Sequence, residues 1–331
     1  MQYLEAERRE LLGYSAAPIL DQAAVVRYAL GDRSLAGQIL APFQPGRFER
    51  IWSDLSGLAR PALALEIRDG PAHGRSKLGG LPDLPSGTDW PRRGEKPLAF
   101  IGQLDLAEVH EHLRDPAVPP AGLLSFFSEA DRWTSGGSPE DRGAWRVLLL
   151  DGPFSRQSPP ELAPATAPPG YDPATWGFEE AGVVFAPRIS LPETEHVLLE
   201  PFEMSDGDWE PYGALVDELR KAHGPPELRD GSNLPDLTQF LGYPAEIQHD
   251  PFMTSQLAFH GLDPGTETEW ASDDVTRLLK ARAPWRLLLQ VDTIPDIGMN
   301  WADNGLLYYC IRDEDLRARQ CDNSWLIMES L

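Results

Sequence analysis

Two Gln-x-Asp pairs are the residues of this chain whose types and spacing could support chemistry. Gln103 and Asp105 end one apolar run, and Gln290 and Asp292 end another. Residues two apart on a strand share a face, so each pair presents an amide beside a carboxylate. Two carboxylates held close together could do acid–base work, because proximity raises the pKa of one of them. The alternative is structural: the glutamines bond backbone groups of a neighbouring loop, and the aspartates cap the turns that follow.

Three further residues could extend such a site. Lys77 precedes a Gly-Gly turn, where its charge could bind an anion; the alternative is a surface or ion-paired lysine. Trp301 belongs to a turn-rich Trp-Ala-Asp-Asn-Gly segment, in which the indole could stack on a ligand or cover the core, and the aspartate could bond loop amides. No catalytic residue is assigned. The candidate ligand-binding residues are Lys77, Gln103, Asp105, Gln290, Asp292, Trp301 and Asp303.

The sequence carries no metal or cofactor signature. His110 and His112 lack the i, i+4 spacing that places two imidazoles on one helical face. The Gly79-Gly80 turn does not continue into a phosphate-binding loop, and no Gly-x-Ser-x-Gly segment marks a nucleophile. We therefore expect no metal and no cofactor.

Strands must position the Gln-x-Asp pairs. The stretch 285–311 predicts two buried strands joined by a turn-rich loop, because apolar runs of strand length flank a segment rich in Gly, Asn, Asp and Pro. The same pattern occurs at 98–127. Further strands are predicted at 62–67, 145–150 and 325–329, and helices at 21–31, 48–58, 106–113, 211–222 and after Ser272.

These runs belong to a pattern that occurs twice. Four sequence blocks come in the same order in both halves of the chain, which indicates an internal repeat. The predicted fold class is therefore α+β, an internal duplication of a strand-rich unit related by a pseudo-twofold axis, with extra N-terminal helices. The matching blocks are 78–82 with 240–244, 99–105 with 286–292, 122–127 with 305–310, and 145–149 with 325–329.

The repeat and the composition predict the domain organisation. Residues 1–59 form an N-terminal helical addition, and 60–151 form the first α+β unit. Residues 152–233 form a proline-rich linker and an acidic segment, because 151–175 holds seven prolines in 25 residues, a composition that favours extended chain. Residues 234–331 form the second unit, and together the parts make one compact domain.

A family resemblance rests on the same blocks. The motifs at 76–85, 100–105, 241–244 and 289–292, with Trp301-x-Asp303-x-Gly305-x-Leu307, resemble the YwqG-like family from about residue 60 to the C-terminus. That family is a bacterial domain of unknown function, so the resemblance implies a soluble bacterial α+β protein with an internal duplication and no established reaction. The family usually has a lysine where this chain has Gln239, so the chain lacks a symmetric pair of lysines.

Charge and composition exclude several function classes. Lys plus Arg is 29 and Asp plus Glu is 52, a net charge of −23, which disfavours contact with nucleic acid. Residues 171–250 alone hold 17 acidic against 4 basic residues, a local net of −13. No apolar run is long enough to span a membrane, and the first ten residues hold no apolar signal core. Two cysteines without a signal peptide predict reduced thiols and a cytoplasmic location.

Two functions follow as alternatives. The first is a non-catalytic protein-binding module with a basic protein partner, because complementary charge accelerates and selects association; the resemblance implies an immunity-type, toxin-associated role at family level. The second is a small-molecule binding protein or enzyme with its site between the two repeats, since clefts with a few convergent polar groups bind ligands. The oligomeric state is left open.

Overall fold

A computed structural model describes residues 20–44, 46–68, 74–129, 134–161, 177–194, 196–223, 237–263, 270–280 and 285–330. Helices in this part of the chain are α1 (Gln22–Ala29), α2 (Ala36–Leu40), α3 (Trp52–Gly57), α4 (Leu106–His112), α5 (Asp206–Ala222), α6 (Pro251–Phe259), α7 (Asp273–Lys280) and α8 (Asp313–Arg317). None of these helices is long and apolar enough to cross a membrane.

The strands form one large sheet and two small hairpins. Ten strands make the large sheet in the order β14-β13-β12-β11-β1-β10-β2-β6-β7-β8, and every neighbouring pair is antiparallel. Two-stranded sheets pair β3 with β9 and β4 with β5. The strands are β1 (Arg60–Arg68), β2 (Lys77–Leu78), β3 (Asp83–Pro85), β4 (Arg92–Arg93), β5 (Lys96–Pro97), β6 (Ala99–Asp105), β7 (Leu123–Ser128), β8 (Trp145–Leu150), β9 (Phe154–Arg156), β10 (Ala181–Ser190), β11 (Gln239–Leu241), β12 (Trp285–Asp292), β13 (Leu306–Arg312) and β14 (Trp325–Glu329).

The two edges of the large sheet approach each other, so the sheet is nearly closed. The indole of Trp145 on β8 donates to the carbonyl of Ser324 at 2.9 Å, and that of Trp325 on β14 donates to the carbonyl of Gly136 at 2.6 Å. The two indole rings meet edge to face at 4.9 Å. Inside the curve, apolar side chains from both halves share one core. The predicted mixed helix-and-strand class is confirmed.

The large sheet has the same local irregularities on both sides of its central pair, β1 and β10. A bulge interrupts β6 between Phe100 and Gly102, and another interrupts β12 between Leu287 and Leu289. Positive φ angles also occur at aligned positions, 61° and 69° at Gly79-Gly80 after β2, and 58° and 81° at Leu241-Gly242 at the end of β11. These features fall at positions that the sequence repeat aligns. The duplication itself stays a prediction.

A helical layer covers one side of the sheet around a second core. Helices α1 to α3 and α5 pack together there, and the buried rings of Tyr28 and Tyr212 belong to this core with Ile189 of β10. The Asp21 carboxylate caps α1 by accepting from the Ala24 N–H, as the sequence predicts. The prediction of N-terminal helices is confirmed.

Segment 152–233 contributes a central strand to the large sheet. It supplies β10, which pairs along its whole length with β1 at the centre of the large sheet. The described part of 151–175 contains one short strand, β9, which pairs with β3; residues 162–176 lie outside the described residues. Helix α5 begins at Asp206, before the predicted start at Pro211, because Ser205 and Asp208 form a capping box.

Candidate functional site, a cleft lined by arginine

The two predicted glutamines are fully buried and bond neighbouring loops. Gln103 Oε1 accepts from the Asp83 N–H at 2.8 Å, and its amide donates to the Arg75 carbonyl at 2.8 Å. Gln290 Oε1 accepts from the Ala245 N–H at 2.9 Å, and its amide donates to the Leu237 carbonyl at 2.6 Å. Gln103 therefore joins β6 to the residues just before β2 and to the loop after the Gly79-Gly80 turn. Gln290 joins β12 in the same way to the residues just before β11 and to the loop after Gly242.

The predicted aspartates bond the backbone nearby. Asp105 caps α4 by accepting from the Ala107 N–H at 2.9 Å. Asp292 accepts from the N–H groups of Leu237 at 3.0 Å and Thr293 at 2.8 Å. No hydrogen bond joins the first Gln-x-Asp pair to the second within the described chain, and the two pairs lie on opposite sides of β1 and β10. Each of the four side chains thus bonds backbone groups; Gln103 also donates to the Asp83 carboxylate at 2.9 Å, and Asp105 lies 3.7 Å from the Arg75 guanidinium. Their ligand-binding role stays a prediction.

Lys77 is buried and held by the protein. Its ammonium donates to the Leu81 carbonyl at 2.5 Å and to Glu180 at 2.9 Å. Burial lowers the pKa of Lys77, and the bond to Glu180 opposes that effect. Gln239, which stands at the aligned position, donates to the Tyr243 carbonyl at 2.7 Å. Both side chains thus bond the carbonyl four residues further along.

Trp301 and Asp303 differ in their exposure to solvent. The Trp301 indole is buried, donates to the Asp292 carbonyl at 2.9 Å, and meets the Phe178 ring edge to face at 5.5 Å. This arrangement matches the core-covering interpretation of the tryptophan. Asp303 is exposed and makes no hydrogen bond to the rest of the described structure.

The cleft that best fits a ligand is formed by other residues. It has a volume of about 190 Å³ and lies where the helical layer meets both sides of the large sheet. Arg33 comes from the helical layer, Arg60 from the first position of β1 and Arg286 from β12. Asp115, in the loop after α4, adds a carboxylate. Apolar contacts in the wall come from Ala59, Pro61, Pro116, Leu241 and Leu287.

Local structure fixes the position of each arginine. The Arg60 guanidinium lies over the Tyr243 ring, 4.5 Å from its centroid, and the Tyr243 hydroxyl donates to the Leu58 carbonyl at 2.8 Å. The Arg33 guanidinium donates to the Arg114 carbonyl at 2.5 Å. The cleft therefore holds its cations in place before any ligand arrives, which lowers the entropy cost of binding.

Asp115 keeps its negative charge in this setting. Burial alone would raise the pKa of the carboxyl, but its ion pair with Arg286, the Ala117 N–H and the charge of Arg33 together hold the pKa below its usual range. The Arg286 fork contacts both Asp115 oxygens, at 3.0 and 3.4 Å. The lining thus combines three cations with one anion.

Gly242 allows the floor of the cleft to form. Its φ of 81° favours glycine, and a Cβ there would lie 2.7 Å from the Ala62 Cβ and 2.8 Å from the Ser190 Oγ. Only a residue without a side chain lets this turn approach β1 and β10 so closely.

Sequence reasoning missed the arginine cleft. Its charged residues are far apart in the chain and share no motif. One local signal was present, because Arg286 interrupts a run of apolar residues in a predicted buried strand, and a buried cation needs a partner.

The fold and the cleft define a mixed α+β protein with a nearly closed antiparallel sheet and a cationic cleft beside the helical layer. Residues 76–329 match the model of a family described as Domain of unknown function (DUF1963), and the chain belongs to that family. No curated protein matches the chain. Asp115, Gly242 and Arg286 fall within the matched region, whereas Arg33 and Arg60 precede it. No group of three or more metal-binding side chains occurs among the residues that the structure describes.

Proposed function

We propose that this protein binds a small molecule in the arginine cleft. The main support for this proposal is that the guanidinium of Arg60 lacks a hydrogen-bonding partner in the described part of the chain. This arginine lines a cleft and lies over the Tyr243 ring, yet its guanidinium has no hydrogen-bond or ion-pair partner among the described residues. Buried or half-buried cations normally have hydrogen-bonding partners, so this side chain is available to a ligand. We assign no reaction to the site.

We also propose that the two sides of the large sheet are copies of one ancestral unit. The support is a set of matched contacts, in which Gln103 and Gln290 bond equivalent backbone groups and Lys77 and Gln239 bond equivalent carbonyls. Under this proposal the cleft lies at a seam between the copies and the helical layer. Seams of this kind are common ligand sites.

A variant that fills the cleft tests the proposed function. Ala59→Trp places an indole in the wall of the cleft, and Ala318→Trp adds the same side chain at an exposed position after α8. Thermal shifts are measured for both variants and the natural protein against a panel of small charged and neutral molecules. We expect ligands that stabilise the natural protein and Ala318→Trp but not Ala59→Trp. Equal responses from all three proteins would contradict a site in the cleft.

A protein-binding module is a second candidate, favoured by a row of acidic side chains. Glu200, Glu203, Asp206, Glu210 and Asp217 are exposed along the turn before α5 and along α5 itself. Such a face suits a basic protein partner and an immunity-type role, and with the net charge of −23 it argues against nucleic acid. A pull-down read at low and high salt tests this candidate, and finding no partner that is lost at high salt would contradict charge-steered binding.

We further propose a cytoplasmic location in a bacterium. Cys310 and Cys321 are both buried and unpaired, as expected for a protein of a reducing compartment. Labelling of free thiols after unfolding of the protein from its native host would find both cysteines reduced. A disulfide at either cysteine would contradict this location.

A further inference from the structure

The arginines of the cleft differ in how the protein balances their charges. Arg286 is fully compensated, because its guanidinium bonds Asp115 at 3.0 Å and Asp313 at 3.2 Å. Two carboxylates therefore surround this one cation. Arg286 forms a wall of the cleft and offers little charge to a ligand.

Arg33 and Arg60 keep their charges available. Arg33 donates to the backbone carbonyls of Tyr28 and Arg114, which fix its position but carry no full negative charge. The Asp115 carboxylate also attracts Arg33, but its direct ion pair is with Arg286. Arg60 has no hydrogen-bond or ion-pair partner in the described chain. The two arginines therefore supply the electrostatic attraction of the cleft, and Arg60 also supplies free N–H donors.

The position of the Arg60 guanidinium over the Tyr243 ring limits which groups it can bind. The guanidinium carbon of Arg60 lies over the Tyr243 ring, 4.5 Å from its centroid, so the ring covers one side of the group. A guanidinium holds its N–H donors in its own plane. The Tyr243 ring beneath it is fixed by the hydroxyl bond to Leu58. A planar pair of donors matches two oxygens of one carboxylate or phosphate group, since Arg–oxyanion contacts are often bidentate.

Charge and size narrow the ligand further. The lining holds three arginines and one aspartate, 3 − 1 = +2, in a chain of net charge −23. A large polyanion would also meet the acidic surface outside, whereas a small anion inside the cleft faces mainly the arginines, because screening limits charge effects to about 8 Å at physiological salt. The volume of about 190 Å³ equals that of roughly six water molecules.

We propose that the cleft binds a compact oxyanion, a small carboxylate or phosphate, with Arg60 as its main hydrogen-bond donor and Arg33 as a second source of attraction. The inference rests on the proposed function and names its ligand class. Asp115 shows the same chemistry within the protein, since its carboxylate already occupies the Arg286 fork.

The test is a titration of the natural protein and two matched arginine variants. Arg60→Gln removes the charge and the planar fork while keeping a polar side chain. Arg68→Gln makes the same change at the other end of β1, where the side chain is 59% exposed and, among the described residues, pairs only with Glu66. Acetate, succinate and inorganic phosphate are each titrated at constant ionic strength, with chloride as the balancing anion, and binding is read by calorimetry.

We expect at least one of the three oxyanions to bind the natural protein and Arg68→Gln equally. Its affinity for Arg60→Gln should fall tenfold or more. Urea unfolding of that variant should show a folded protein with a small loss of stability, because the substitution removes the contact with the Tyr243 ring but no hydrogen bond of the described structure. A preference for succinate or acetate would assign a carboxylate, and a preference for phosphate would assign a phosphoryl group.

Other outcomes separate the two proposals. Equal oxyanion binding by Arg60→Gln would place the binding elsewhere and overturn the inference. If only neutral molecules bind, and Ala59→Trp abolishes that binding, the oxyanion assignment is wrong and the proposed function stands. If no small molecule distinguishes Ala59→Trp from Ala318→Trp, the proposed function itself is wrong.

Discussion

Asp250 offers a direct measure of how burial controls charge in this protein. The carboxyl caps α6 and accepts from the Phe252 N–H at 2.8 Å, yet only 6% of the residue is exposed. Burial raises its pKa from 3.8 to about 6, the backbone bonds from Phe252 and Met253 oppose that rise, and the charge of Glu329 adds to it. At pH 7 the folded protein therefore holds an ionised carboxylate at a cost.

The predicted perturbation is Asp250→Asn. Asparagine caps helices as well as aspartate does and carries no charge. A pKa rise of about 2 units corresponds to about 3 kcal/mol of cost for the charged form. Loss of the second backbone bond, from the Met253 N–H, would destabilise the variant by about 1 kcal/mol. We therefore expect Asp250→Asn to stabilise the protein by about 2 kcal/mol at pH 7.

The sign of the pH dependence is fixed by the direction of the pKa shift. Because the folded pKa lies above the unfolded value, the contribution of Asp250 to stability is complete below pH 3.8 and is lost as the pH rises through about 6. The advantage of Asp250→Asn should therefore grow between pH 4 and 6 and then level off.

Urea unfolding of both proteins from pH 4 to 7 measures this difference. Asp21→Asn is the control, since Asp21 is an exposed cap of α1 with the same type of bond, and this variant removes a capping carboxylate that is not buried. An Asp250→Asn variant that is less stable than the natural protein at pH 7, or a difference that does not vary with pH, would refute the reasoning from burial.

Three further predictions concern buried polar groups. His196 is 5% exposed, and burial together with the charge of Arg60 lowers its pKa from 6.5 to about 4. Its contribution to the free energy of unfolding is therefore present above pH 6.5 and lost as the pH falls through 4. An imidazole NMR titration should show no protonation at pH 6, and a midpoint near 6.5 would contradict this. Gln290→Ala should lower the free energy of unfolding by about 1–3 kcal/mol for each of the two backbone groups it orphans, measured by urea denaturation, with no rescue by a ligand library; near-normal stability would argue against the structural role. Lys77→Gln should be tolerated far better than Lys77→Met in thermal melts, because Gln239 makes the equivalent bond at the aligned position; equal losses would show that the charge of Lys77 is required.

Local patterns predict much of this fold. β6, β7, β12 and β13 are apolar runs of strand length bounded by turn residues, and their side chains are almost entirely buried. Burial on both faces leaves a continuous apolar run, which is a strong signal. The roles of Gln103 and Gln290 in bonding nearby loops also follow from their position at the ends of such runs.

β10 shows where local patterns fail. Its sequence contains Pro187 and Arg188, and a proline argues against a central strand. The structure accommodates it because β2 pairs with β10 only at Ala181 and Gly182. Beyond those residues, β10 pairs only with β1 among the described strands. Half of its N–H groups therefore face away from β1, on a side where no described strand needs them as donors.

The cleft could not be predicted for a different reason. Arg33, Arg60, Asp115 and Arg286 lie in four separate segments, and only tertiary packing brings them together. No spacing rule relates residues so far apart in sequence. Whether an arginine is compensated depends on the neighbours that the fold supplies, as the contrast between Arg286 and Arg60 shows.

The most direct test of the arginine cleft is a crystal structure of the protein soaked in selenate, an oxyanion whose selenium atom scatters X-rays anomalously. We expect an anomalous peak beside the Arg60 guanidinium, within hydrogen-bonding distance of its N–H groups and near Arg33. The peak should disappear from crystals of Arg60→Gln. Peaks only at other surfaces, or a peak in the cleft that persists in Arg60→Gln, would contradict the assignment of Arg60 as the main donor to a small oxyanion.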